Sequence, residues 1–289
     1  MADMTATTLA TYLAEVWSQL VTITYRSNVV LPNLMDRRWE PEISVGRGDT
    51  VNIPNFTRRS GANKRSTFGT GASLTFTATT ESQTQLQVDQ MAYEAFRMPV
   101  EMSVQKMGVY EPLLTEDIAR GIILQVDSEL ASHNSNGIDA FTAVGTDNED
   151  VTNDLILDTE TVLNDNNAPI ENRYFVVSPA TRASLMKIEI FRNSLYQGAI
   201  GNIPGDKGPG FLGQVYTLDV YQSNNLEAGT AGKKNGMFQK EAIAMAMQKG
   251  VTVHSGINIA DGLFQEVAGF AVYGHKLVQS NYGREVAGK

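Results

Sequence analysis

Residues 49–97 constrain the fold most. Thr50–Phe56 alternates as a strand, with Val51, Ile53 and then Phe56 after Pro54. Ser73–Thr80 sets Leu74, Phe76 and Ala78 against Thr75, Thr77 and Thr79. Gln83–Asp89 sets Gln85, Gln87 and Asp89 against Leu86 and Val88. Period two predicts strands, and their Thr and Gln content predicts at least one wet face. Between them runs TRRSGANKRSTFGTGA, Thr57–Ala72, with Arg58, Arg59, Lys64 and Arg65, three glycines and no acid. Four cations and no acid give this stretch +4 in a chain of net charge −9. The apolar faces of these strands are too thin to bury a core alone. A polar hairpin with a cationic, glycine-rich tip is costly to hold in order on an isolated monomer. It makes sense if another subunit receives it. About 20 residues per side, at roughly 3.3 Å each, let such an arm reach about 50–60 Å. A disordered basic loop on a monomer is the plain alternative. A nucleic-acid loop is a weaker one, because only Phe68 is there to stack on bases.

After the arm, Met91–Met107 is partly apolar, and Phe96, Met98, Val100, Met102 and Val104 alternate, predicting a strand that leads into a long helix. In Glu111–Gly137, Leu114, Ile118, Ile122, Val126 and Leu130 follow at four-residue steps and share one helix face. Leu113 and Ile123 widen the stripe. Pro112 suits the first helical turn. Glu116 and Arg120 are spaced to pair on the outer face. Asn134, Asn136 and Gly137 supply the stop. A helix of this length runs to roughly 35–40 Å.

Other segments divide by the same rules. Leu9, Leu13, Val16, Trp17, Leu20 and Val21 predict an amphipathic helix over residues 7–23, either packed on its own domain or serving as an arm against a neighbour. Residues 24–47 read as an extended connector with short strand pieces, broken by Pro32, Pro41, Gly46 and Gly48. Residues 138–153 read as an acidic loop, Asp154–Leu163 as a short helix and Arg173–Val177 as a buried strand. Ser178 and Pro179 predict the cap and first position of a helix over Ala180–Ile190. Ala199–Gly213 is a glycine-rich loop, Val215–Gln222 a strand, Ser223–Asn225 a turn and Gly229–Gly236 a flexible basic turn. Phe238–Gln248 reads as a strand, and apolar positions from Val251 to Val272 add more strand character.

Composition narrows the classes. The chain has 289 residues, 42% hydrophobic and 19% charged, so a folded core in one large domain or two modest ones is expected. The net charge of −9 disfavours a dedicated nucleic-acid binder and suits a soluble protein, or one that lies near DNA without gripping it. With no cysteine, neither a disulfide nor a thiolate metal site can form. No apolar run approaches the roughly 20 residues that span a bilayer, so no membrane partner is expected. The start MADMTATTLATY lacks the basic cluster of a signal peptide. Asn55-Phe56-Thr57 matches a glycosylation acceptor, read as accidental without secretion. The loop before Gly213 lacks Gly-Lys-Ser/Thr, no HExxH involves His133, His254 or His275, and no GxSxG occurs. Asp147, Glu149 and Asp150 lack the spacing of an EF-hand and read as a solvated loop. Nothing argues for an enzyme, a cofactor or a metal.

The order of parts is telling: an N-terminal arm, a polar hairpin with a charged tip, a long helix, then an α/β region. Val176-Val177-Ser178-Pro179 with Leu185 looks like a strand-then-helix signature. Gly213-Gln214-Val215-Tyr216 with Val220-Tyr221-Gln222-Ser223-Asn224 follows the glycine-rich loop, and Phe238-Gln239-Lys240-Glu241-Ala242-Ile243-Ala244 follows that. In these segments, and over nearly its whole length, the chain resembles the major capsid proteins of tailed phages with the HK97-type fold.

That resemblance implies an α+β fold in five parts. Residues 1–43 are the N-terminal arm, packing through Leu13, Trp17 and Leu20. Residues 44–97 hold the E-loop hairpin and its flanking strands, with Arg58, Arg59, Lys64, Arg65 and Phe68 at an inter-subunit tip. Residues 98–153 form the peripheral domain with its spine helix. Residues 154–235 form the axial domain, with Gly201, Asn202, Pro204, Gly205 and Lys207 in a loop at the capsomer centre. Residues 236–289 give an axial strand and the return to the peripheral domain. Some members cross-link the E-loop through a Lys–Asn isopeptide bond. Lys64 is the only E-loop lysine here, and no Asn and Glu partners align with it. The N-terminal arm is not the long helix-rich extension that serves as a built-in scaffold, so any scaffold is expected to be a separate or removed protein.

The function implied is that of a coat subunit, with no catalytic role, forming pentamers and hexamers in an icosahedral shell around double-stranded DNA. Scaffolding, portal and cement proteins are implied partners, the virion is the implied location, and the host cytoplasm is the implied place of assembly. An encapsulin-like compartment shares the fold but encloses enzymes, and genomic neighbours separate the two. A monomeric hydrolase or binding domain with an unrecognised site is the alternative from another class.

Overall fold

The computed structural model describes residues 29–43, 48–56, 81–100, 110–132, 136–188, 207–259 and 262–289. In chain order the helices are α1 (Leu31–Leu34), α2 (Tyr110–Ser132), α3 (Asn153–Asp165) and α4 (Pro179–Leu185). The strands are β1 (Thr50–Phe56), β2 (Glu81–Gln87), β3 (Gln90–Pro99), β4 (Ala143–Val144), β5 (Arg173–Val177), β6 (Phe211–Val215), β7 (Leu218–Gln222), β8 (Lys233–Gln239), β9 (Ile243–Asn258), β10 (Phe264–Leu277) and β11 (Gly283–Gly288). They form a two-stranded ladder β1-β2, a three-stranded antiparallel sheet β3-β10-β9, and a mixed six-stranded sheet β4-β11-β8-β5-β7-β6.

The long helix α2 rides on the three-stranded sheet. Its stripe is the expected one: Ile118, Ile122, Val126 and Leu130 are buried. Ile118 and Ile122 press on β10 at Gly269, where a Cβ would strike both side chains. On the outer face Arg120 reaches Glu116 at 2.7 Å.

Strand β5 organises the larger sheet. All five of its residues are buried: Tyr174–Val177 as a run covered on both faces must be, and Arg173 with its guanidinium donating to the Ala168 and Pro169 carbonyls. Tyr174 and Val176 point into the core shared with α2, and Phe175 and Val177 into a second core with Ile156 and Leu163 of α3 and Leu185 of α4. Both helices are capped as their sequences require. Thr152 Oγ1 accepts from the Leu155 N–H at 3.3 Å and Ser178 Oγ from the Thr181 N–H at 3.0 Å.

Several expectations are corrected. Within 24–47, residues 29–43 hold α1 and a 3-10 turn at Glu40–Ile43, not strand pieces, apart from one bridge between Asp36 and Ala244. Proline in the first turn of α1 favours the helical entry. Val215–Gln222 is not one strand but the end of β6, a tight turn and β7. The turn is made by Tyr216, whose φ of 52° is left-handed. Lys233–Gly236, expected as flexible turn, is the start of β8, paired along its length with β11 and joined by β5 at Gly236. Phe238–Gln248 is broken by a 3-10 turn at Lys240–Ala242, which separates β8 from β9. Helix α2 is described as far as Ser132, residues 133–135 at the expected stop lying outside the described residues, and α4 ends at Leu185, before Ile190. The helix over 7–23 and the strand Ser73–Thr80 lie outside the described residues.

Candidate functional site

The two-stranded ladder β1-β2 stands on a small core of its own. Ile43, Ile53, Leu86, Val88, Ala244 and Ala246 are buried together, with Trp39 and Val51 packed against them. This core is fed by alternation: in β2 only Leu86 is buried, while Glu81, Ser82, Gln83, Gln85 and Gln87 are exposed. The ladder runs in register from Thr50 opposite Gln87 to Phe56 opposite Glu81, so both strands leave the core side by side. The chain then crosses β10 at very close range. A Cβ on Gly274 would lie 2.0 Å from the Gln87 carbonyl oxygen, so only glycine fits there. Beside the crossing lies a polar cleft of about 770 Å³ lined by Gln83, Gln85, Gln87, Gln90 and Asn136.

A buried carboxylate ties the region before the arm to the rest. Asp127 on α2 is fully buried. Its Oδ1 accepts from the Val30 N–H at 2.9 Å and the Leu31 N–H at 2.7 Å, and its Oδ2 accepts from the Asn225 amide. Burial pushes its pKa up, and these donors and Ser223 oppose the rise. One side chain thereby joins α2, the entry into α1 and the loop after β7.

At the opposite end, Lys207 Nζ contacts both oxygens of Asp219 on β7 at 2.8 Å and lies over the Phe211 ring. Tyr216 donates its hydroxyl proton to Asn153 Oδ1 at 2.6 Å, holding the tight turn against α3. Burial, with Asp219 nearby, pushes the Tyr221 hydroxyl up to about 12.

The acidic loop is more than solvated chain. Asp150 accepts from Ser184 Oγ at 2.8 Å and from Lys187 Nζ at 2.7 Å, and Lys289 Nζ is 2.8 Å away. Those contacts hold its carboxyl below the usual carboxylate range. Asp147 accepts the Ala231 N–H at 2.8 Å.

Of the residues singled out from sequence, Lys207 alone falls among those described, and it is anchored to its own chain. Arg58, Arg59, Lys64, Arg65 and Phe68, Gly201, Asn202, Pro204 and Gly205, and Leu13, Trp17 and Leu20 lie outside the described residues. Sequence reasoning missed Asp127 and Gly274. Asp127 lies among the apolar residues of the α2 stripe, which is a signal of a buried acceptor. Gly274 has no sequence signal beyond being a glycine inside a strand. Among the described residues no group of three or more His, Asp or Glu is arranged to hold a metal.

No family model and no curated protein matches the chain. Solved structures do. A chain of Mycobacterium phage Che8 superposes with a TM-score of 0.75 at 21% identity, over 95% of this chain and 97% of that one. A chain from the capsid of a native GTA particle gives 0.72 at 10%, over 100% of both. One from the capsid of the cyanophage P-SCSP1u gives 0.69 at 13%, over 98% and 94%. The chain has the phage capsid fold. Within that capsid fold, the arm root, the Asp127 junction and the Tyr216 turn are the places where this sequence departs from a plain packed core.

Proposed function

We propose that the chain is the major coat subunit of a tailed double-stranded DNA phage, assembling through pentamers and hexamers into an icosahedral shell. The observation that carries this reading is the likeness over the whole chain to subunits of assembled capsids, the GTA and cyanophage particles among them. In this reading α2 is the spine helix of a peripheral domain, the six-stranded sheet belongs to the axial domain, and β1-β2 is the root of the E-loop. The root supports it physically. Two strands leave a six-residue core in register, and the 24 residues between Phe56 and Glu81 include all four cations Arg58, Arg59, Lys64 and Arg65. Such an arm gains order by lying on a neighbour whose surface supplies carboxylates. The acidic balance of the chain keeps the shell's inner wall from gripping packaged DNA. The role is structural, and the virion is where the protein resides.

Replacing Arg58, Arg59, Lys64 and Arg65 together by Ser tests the arm. The expected outcome is a folded subunit that yields few or fragile shells, read by electron microscopy and by the salt dependence of shell disassembly. Shells as robust as the parent's would remove the arm from the assembly mechanism.

A further inference from the structure

The flank of α2 beside β3 carries a groove that the described residues leave open. Among them β3 is the outer strand of its sheet, with β10 on one side and no strand on the other. Ala92 of β3 is buried in one cluster with Ile118 and Ile122 of α2. Next to this contact lies a groove of about 540 Å³, lined by Met91 and Tyr93 of β3 and by Gly121, Leu124, Gln125 and Ser128 of α2. Gly121 gives the helix no side chain there, at a cost of about 1 kcal/mol relative to alanine inside a helix. Met91 is 57% exposed and Tyr93 73%, so the strand side of the groove presents large apolar surface to whatever lies outside it.

The chain enters the described structure beside this groove. The N–H groups of Val30 and Leu31 bond Asp127 on α2. Ser128, the next residue, lines the groove, and successive helical residues lie about 100° apart around the axis. Residues 24–29 separate that anchor from the segment 7–23, and such a tether reaches roughly 20 Å. A helix with its side chains is about 10–12 Å across, so a third of the way round it is only about 12 Å. In the segment, Leu9, Leu13, Val16, Trp17 and Leu20 make one apolar stripe at helical spacing. As a helix, residues 7–23 measure about 25 Å, against about 35 Å for the 23 residues of α2. We propose that residues 7–23 seat this stripe in the α2–β3 groove of their own chain, with Trp17 as the anchor. The short tether holds the stripe at a local concentration of about millimolar, which favours its own groove over that of another molecule. The seat covers Met91 and Tyr93 and closes the open flank of β3. Asp127 fixes the point from which the segment sets out.

Cysteine cross-linking of the full chain tests this, because the chain has no cysteine of its own. Leu20→Cys is combined with Leu124→Cys, which leaves Trp17 in place, and the pair is treated with a short bismaleimide. Glu15→Cys with Leu124→Cys is the control. It has nearly the same tether but lies on the helix face opposite the stripe. The Leu20 pair should cross-link within one chain at least about tenfold faster than the Glu15 pair. Mass spectrometry of the joined peptides, from a mixture of isotope-labelled and unlabelled chains, reads both the rate and the partner. Links that mainly join a labelled to an unlabelled chain put the segment on a neighbour and overturn the proposal. Equal rates for the two pairs, or no link in either, overturn it as well. If Leu20→Cys does not fold, Leu13→Cys takes its place with the same expectations.

Discussion

Strands β5 and β2 show two ways of holding a strand. Every residue of β5 is buried, between helices α3 and α4 on one face and the α2 core on the other. In β2 one residue of seven is buried, and the core beneath it holds only six residues. The first strand carries its stability within the chain. The second is held at its base and presents Gln, Ser and Glu to its surroundings, so its outer part must draw order from something else. In the coat-subunit reading, that something is a sister copy. The difference separates a strand packed on both faces from one anchored at a single side chain.

Equivalent deletions should therefore have unlike reach. Phe175→Ala removes a large side chain from the middle of the second core and should cost about 3–5 kcal/mol. It should lower the denaturant midpoint of the whole subunit. Gly274→Ala sets a Cβ against the Gln87 carbonyl, a backbone atom that cannot yield alone, and should cost about 3 kcal/mol. The loss should appear as raised hydrogen exchange in β1 and β2, with the exchange of β5 and β8 unchanged. Leu86→Ala should cost about 2 kcal/mol with the same local pattern. If either root variant lowers the protection of β5 as much as Phe175→Ala does, the two regions are one cooperative unit and the comparison fails. Ser178→Ala removes the cap of α4 and a hydroxyl that donates to the Lys289 carbonyl at 2.8 Å, and should cost about 1 kcal/mol in the thermal midpoint. Arg120→Ala breaks an exposed pair and should change stability by no more than about 0.5 kcal/mol.

Much of the fold could be read in advance where a local rule decides. Thr50–Phe56 and Arg173–Val177 are strands with the bounds their patterns predict, because alternation or a buried run between turns leaves little choice. The Ser178 cap and the Glu116–Arg120 pair depend only on residues three or four apart. The misses are long-range. Tyr216 makes a turn without glycine or asparagine because Asn153, 63 residues away, holds its hydroxyl. Lys233–Gly236 looks flexible until β11 is placed beside it, with β5 joining at Gly236. Asp127 reads as a polar interruption of a stripe until Val30 and Asn225, each about a hundred residues distant, arrive to donate to it. Of the candidate site, Arg58, Arg59, Lys64 and Arg65 are marked by charge alone and lie outside the described residues, while the close crossing of Gln87 over β10 depends on Gly274, which no local pattern marks.

Electron microscopy of the purified full chain tests the central claim most directly. The account predicts closed, uniform icosahedral particles built from the 31.5 kDa chain. A preparation that stays as dispersed single subunits across protein concentration, salt and pH would contradict it.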